Sequence, residues 1–139
     1  MQTPAGKNRM DKRPGVIRPL FNRMAATYDR GNRTLSLLID QIWRRRTVSA
    51  LSVRDGQYVL DIATGTADLA LEAARQADCR VAGIDLSEEM LKVARRKNGQ
   101  SPFAGRCFFL QGDGTRTPFR NESFHHAMIS FGIRNVQDM

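Results

Sequence analysis

After Asp55-Gly56 the spacing of apolar residues changes, and this change constrains the fold more than any other feature of the chain. Before it, Leu35, Leu38, Ile39, Ile42 and Trp43 recur at helical spacing and predict one apolar helix face, read as facing a core or, failing that, a membrane surface. After it, short apolar runs alternate with helical stretches. Strands are predicted over 58–62, 80–85, 107–110 and 125–131, and helices over 69–76 and from the Ser87 cap to Asn98-Gly99. Short buried strands alternating with helices imply an α/β fold with a Rossmann-like, doubly wound parallel sheet. The pattern supplies the first half of such a sheet, preceded by N-terminal helices. Its divisions are a disordered basic arm over 1–15, a helical cap over 16–54 and a partial nucleotide-binding domain over 55–139. The fourth strand would form an open edge.

Such a sheet binds ligands beyond the carboxyl ends of its strands. Four carboxylates are expected there: Asp61 in the first strand, Asp68 opening the first helix, Asp85 ending the second strand and Asp113 following the third. The loop reads Gly65-Thr66-Ala67-Asp68-Leu69-Ala70, where a dinucleotide fingerprint would read GxGxxG. Ala67 puts a methyl group where a pyrophosphate would need close backbone approach. Asp68 adds negative charge at the helix start. Both disfavour NAD and favour a cationic nucleoside without phosphate, S-adenosylmethionine. Asp85 follows Gly65 by 20 residues, the spacing of a carboxylate that accepts from ribose hydroxyls. If position 67 requires a positive φ, alanine there costs on the order of 1 kcal/mol.

Charge is distributed unevenly. Residues 1–54 hold twelve Lys/Arg against three Asp, giving +9, whereas the remaining 85 residues sum to −1. The basic segment could meet an anionic membrane surface or nucleic acid, or be a solvated tail and polar helix face. Few aromatic residues are available for base stacking, so no nucleic-acid partner is expected. Cys79 and Cys107 are widely spaced and read as reduced and buried, and no metal site is expected. No apolar run approaches the roughly 20 residues of a membrane span, and the first fourteen residues lack the apolar core of a secretory signal. The expected location is cytoplasmic.

Three stretches are similar to one family, the ubiquinone/menaquinone biosynthesis C-methyltransferases. They are "YDRGNRTLSLLIDQIW" (28–43), "VLDIATGTADLA" (59–70) and "FGIRNVQD" (131–138). Asp40, Ala67 and His125 replace the histidine, glycine and aspartate usual in that pattern. A hairpin signature that the family carries further on falls beyond Met139. The resemblance implies a class I S-adenosylmethionine-dependent enzyme methylating a ring carbon of a polyprenylated quinol, either demethylmenaquinol or the ubiquinone precursor. It further implies that Thr66 and the neighbouring loop backbone contact the methionine part, that Asp85 holds the ribose, that Asp113 and Gly114 lie at the adenine and that Ser130 lines the pocket. Arg134 and Asn135 would stand at the methyl acceptor, Arg134 stabilising a quinol oxyanion and Asn135 orienting the ring. Asp61, Gly65 and Asp68 complete the expected cofactor site. His125 and His126 have a suitable pKa range for a general base, although at a strand start the structural role is the commoner one. Peripheral contact with the inner face of the membrane is the further expectation. The rival readings are a truncated, non-catalytic remnant that binds a partner and a methyltransferase acting on RNA. Residues alone leave the oligomeric state open.

Overall fold

The computed structural model describes residues 39–129. The 1–15 arm, Leu35, Leu38, Ser130, Arg134 and Asn135 lie outside them. The elements, in chain order, are helix α1, described over 39–51, strand β1 (Tyr58–Ile62), helix α2 (Asp68–Gln76), strand β2 (Arg80–Asp85), helix α3 (Glu88–Gly99), strand β3 (Cys107–Gln111) and strand β4 (His126–Ile129). All four strands are parallel, in the order β3-β2-β1-β4. The first two strands match the sequence expectation residue for residue. α3 starts as predicted, with the Ser87 hydroxyl accepting from the Met90 N–H at 3.2 Å.

Register assigns the two sheet faces. Val59 pairs with Val81, which pairs with Cys107; Asp61 pairs with Gly83, which pairs with Phe109. Because side chains alternate along a strand, these residues share one face. That face is the buried core, covered by Leu69, Ala70, Ala73 and Ala74 of α2, Leu91 and Ala94 of α3, and Val48 of α1. The alanine stripe of α2 lets its backbone approach the sheet closely. On the other face Leu60 and Ile84 are buried, but Tyr58, Phe108 and Leu110 are exposed. Among the described residues no helix covers this second face. Cys79 and Cys107 are unpaired and buried, and burial pushes the Cys107 thiol up to about 11.

The expectation that the apolar stripe of α1 faces the core is corrected. Ile39, Ile42 and Trp43 are 62%, 48% and 62% exposed. The inward stripe is Arg44, Val48 and Leu51 instead, spaced i, i+4 and i+7. Val48 seats in the core while Arg44 reaches an aspartate on α2 at 3.7 Å. The ion pair, the packing of Val48 and Leu51, and the bonds of Gln76 to the Ser49 hydroxyl and the Arg45 carbonyl all fasten this face of the helix to α2 and the core.

Gly83 sits in the middle of β2 because nothing larger fits. A Cβ there would lie 2.8 Å from Thr64 Oγ1 and 2.8 Å from Phe109 Cδ1. Gly83→Ala is expected to destabilise the fold by about 1–3 kcal/mol through overpacking, read as a lowered denaturation midpoint. A midpoint equal to the parent's would refute this account of the β1–α2 corner.

Candidate functional site

The turn from β1 into α2 lies at the carboxyl ends of the strands, and three of its residues are left-handed: Ala63 (φ 55), Gly65 (φ 57) and Ala67 (φ 70). Only Gly65 takes this conformation without steric cost. Ala67 is fully buried, caps α2 and offers no side-chain hydrogen bond. The condition under which alanine at 67 is strained is thus met. Neighbouring groups hold the turn. The Thr64 N–H donates to the Ile84 carbonyl at 3.0 Å, the Ala67 N–H to the Thr64 carbonyl at 2.9 Å, and the Gly65 N–H to Asp85 Oδ2 at 2.8 Å.

Asp61 points inward and is 1% exposed. Its Oδ2 accepts the Thr64 hydroxyl at 2.6 Å, and the Ala70 N–H in the first turn of α2 also favours its charge. It thereby supplies part of the cap that Ala67 lacks. Burial nonetheless dominates and raises its pKa to about 7, with the nearby charges of Asp85 and Asp68 adding to the effect. Asp85 ends β2 with Oδ2 on the Gly65 N–H and Oδ1 on the Ser87 N–H at 2.9 Å. Burial raises its pKa, and those backbone donors, with that of Leu86, oppose the rise. A carboxylate has about four lone-pair sites, so Asp85 keeps capacity for a further donor.

Asp68 is not an open carboxylate. Its Oδ1 accepts from Lys97 Nζ at 2.6 Å, and its Oδ2 lies 3.7 Å from Arg44. The Thr66 side chain is likewise buried, its Oγ1 3.3 Å from Lys97 Nζ. Asp113 follows β3 and accepts from both the N–H and the hydroxyl of Thr115, at 2.9 and 2.7 Å. Its loop is joined to β2 through the Gly112 N–H on the Asp85 carbonyl at 2.8 Å. Gly114 lies against the end of β1, where an added Cβ would sit 2.5 Å from Ile62 Cγ2.

The structure brings Asp61, Gly65, Thr66, Asp68, Asp85, Asp113 and Gly114 to the carboxyl edge of one sheet. It corrects the picture of four free carboxylates around a mouth, since Asp61 is turned inward and Asp68 is ion-paired. Neither histidine stands at this edge. His125 Nδ1 accepts the Tyr58 N–H at 3.0 Å, and His126 Nε2 lies 2.9 Å from Gln57 Oε1, both at the amino end of β1. Their role there is to fasten β4 onto β1. Sequence reasoning missed Thr64, Gly83, Lys97 and Arg44. Only Gly83 carried a signal, as a lone glycine within a strand. Among the described residues no group of three or more His, Cys, Asp or Glu could hold a metal.

The ubiE/COQ5 methyltransferase family model matches residues 7–139. The chain is 42% identical to the ubiquinone/menaquinone biosynthesis C-methyltransferase UbiE of Geobacter sulfurreducens over 132 residues, 94% of this chain and 52% of that one. It spans about half the length of the curated relatives it matches. Among solved structures, a putative S-adenosylmethionine-dependent methyltransferase from Methanococcus maripaludis superposes with a TM-score of 0.75 at 19% identity, covering 85% of this chain and 53% of that one. One from Thiobacillus denitrificans, in complex with S-adenosylhomocysteine, superposes at 0.60 with 25% identity, covering 69% and 39%. These likenesses establish the Rossmann-like α/β fold.

Because its folded pKa is raised above the unfolded value of 3.8 to about 7, Asp61 keeps a proton in the folded chain that it loses in the unfolded one across that window. Stability should therefore fall as pH rises from about 4 to about 7 and level off above. In Asp61→Asn this slope should shrink, Asp85 retaining a part in the same direction. Denaturation midpoints at pH 5 and 8 measure it; equal slopes in parent and variant would show that Asp61 does not titrate there.

Proposed function

The chain belongs to the ubiE/COQ5 methyltransferase family, and from that premise we propose that it acts in S-adenosylmethionine-dependent C-methylation of a polyprenylated quinol precursor in respiratory quinone biosynthesis. The observation that carries the reading is the pairing of Asp85 with the Gly65 N–H across the corner between β1 and β2. It places a carboxylate with spare acceptor capacity beside a tight loop at the carboxyl edge of the sheet, the place where such folds hold nucleosides.

The residues present fit the cofactor. Asp85 would accept from the ribose hydroxyls, and the backbone of residues 65–67 would face the methionine part. The loop at Asp113 and Gly114 would lie along the adenine. S-adenosylmethionine supplies an electrophilic methyl group on a sulfonium. What this chain contributes is position and exclusion of water. The pinned loop offers a surface whose shape is set before binding. Arg134, Asn135 and Ser130 belong to the same proposal, with Arg134 stabilising a quinol oxyanion beside the acceptor carbon and Asn135 orienting the ring.

A polyprenylated acceptor resides in a bilayer, and the outward face of α1 suits contact with one. Ile39, Ile42 and Trp43 are exposed next to the exposed Arg45 and Arg46. Apolar side chains flanked by arginines favour an anionic lipid surface. No helix among the described residues is long and apolar enough to cross a membrane; the exposed face of α1 is what supports a peripheral contact.

Two measurements test these readings. Calorimetric titration with S-adenosylhomocysteine should show binding that Asp85→Ala weakens about 30-fold or more, given the loss of charge-assisted hydrogen bonds. Equal affinities would remove Asp85 from the site. The single tryptophan, Trp43, should shift its emission to the blue on addition of anionic vesicles and much less with zwitterionic ones. Emission unchanged by either vesicle would end the membrane proposal.

A further inference from the structure

Three helices and the loop meet at one carboxylate. Asp68, the first residue of α2, takes Lys97 of α3 on one oxygen and Arg44 of α1 on the other. The same Lys97 ammonium also reaches the Thr66 hydroxyl inside the loop. The three charged side chains are 24%, 15% and 20% exposed, so solvent screens them less than an ordinary surface pair. We propose that Lys97 is a positioning residue for the loop, and that its contact with Asp68 links the shape of that loop to the docking of helix α1.

The chemistry at each atom supports this. An ammonium has three donors, and two of them are aimed at neighbouring loop and helix positions, 66 and 68. Thr66 is buried, so its hydroxyl requires a partner inside the protein, and Lys97 is one. Ala67, lying between the two anchored residues, is held left-handed at φ 70 with no side chain able to cap α2. A strained position persists only where its surroundings over-determine it. Asp61 and Thr64 hold the loop from the β1 side, Asp85 holds Gly65, and Lys97 holds the α2 side. On Asp68, Oδ1 is fixed to α3, which belongs to the core, whereas Oδ2 faces the cation of α1, which enters the core through Val48. Movement of α1 therefore changes what Asp68 feels, and Asp68 shares its lysine with the loop.

The link to cofactor affinity rests on the reading of this loop as the S-adenosylmethionine site, and the experiment separates the two. The parent chain, Lys97→Met, Lys97→Arg, Thr66→Val and the Met/Val double variant would be compared by titration with S-adenosylhomocysteine and by amide hydrogen exchange without ligand. Lys97→Met should speed exchange across residues 64–68 and weaken binding, each by about tenfold or more, as expected when the charge-assisted hydrogen bonds to Thr66 and Asp68 are both lost. The amides of β2 should be unaffected. Lys97→Arg should restore both readouts to within about twofold, since it keeps the charge. The double variant should be no worse than Lys97→Met, because the contact with Lys97 that Thr66→Val breaks is already lost in Lys97→Met. Unchanged exchange in Lys97→Met, losses that multiply in the double variant, or no rescue by arginine would each overturn the proposal. If the parent fails to bind while loop exchange still follows Lys97, the cofactor reading fails and the positioning role stands. If the parent binds and Lys97→Met changes neither readout, the reverse holds.

Discussion

The contact between the buried Asp61 carboxylate and the Thr64 hydroxyl, 2.6 Å long, holds the corner on which the site is built. The chain must leave β1 and enter α2 within five residues, and it does so through three left-handed positions, two of them alanines. Such a turn is unfavourable in isolation. Asp61 offsets this by accepting from the loop at Thr64, while the nearby Ala70 N–H at the start of α2 favours its charge. Gly83 must be a glycine because Thr64 occupies the space where its side chain would be. Asp85 then reaches Gly65 from the neighbouring strand.

The electrostatics of the corner depend on the same geometry. In a list of residues, four aspartates near strand ends add up to a strongly negative mouth. In the fold, Asp61 is buried enough that its carboxyl titrates near neutrality, and Asp68 sits between two cations. Asp85 is held by the backbone N–H groups of Gly65 and Ser87 and makes no ion pair among the described residues.

The two faces of the sheet differ among the described residues. Tyr58, Phe108 and Leu110 stay exposed while the face bearing Asp61 is covered by three helices. A doubly wound sheet is stable when both faces are covered. The described residues supply one helical layer, in a chain spanning about half the length of its curated relatives.

The strands, the two inner helices and the candidate carboxylates were legible in the sequence because they follow from local rules: apolar runs of strand length, a Ser87 cap, a 20-residue spacing from Gly65 to Asp85. What escaped it needed distance in space. Lys97 reads as a cation suited to a helix C-terminus, and nothing within α3 says that its ammonium lies on Asp68, 29 residues earlier. The two histidines were candidates for proton transfer by residue type alone, and register sent them to the other end of β1. The rotation of α1 does not follow from apolar periodicity, because polar contacts of Arg44, Ser49 and the Arg45 carbonyl with α2 help to fix the docking face alongside Val48. The sequence by itself therefore determined which segments become strands and helices, and the family, since both are written in local order. The tertiary structure decided which charges remain available, because burial and ion pairing depend on groups that meet only when the sheet is assembled.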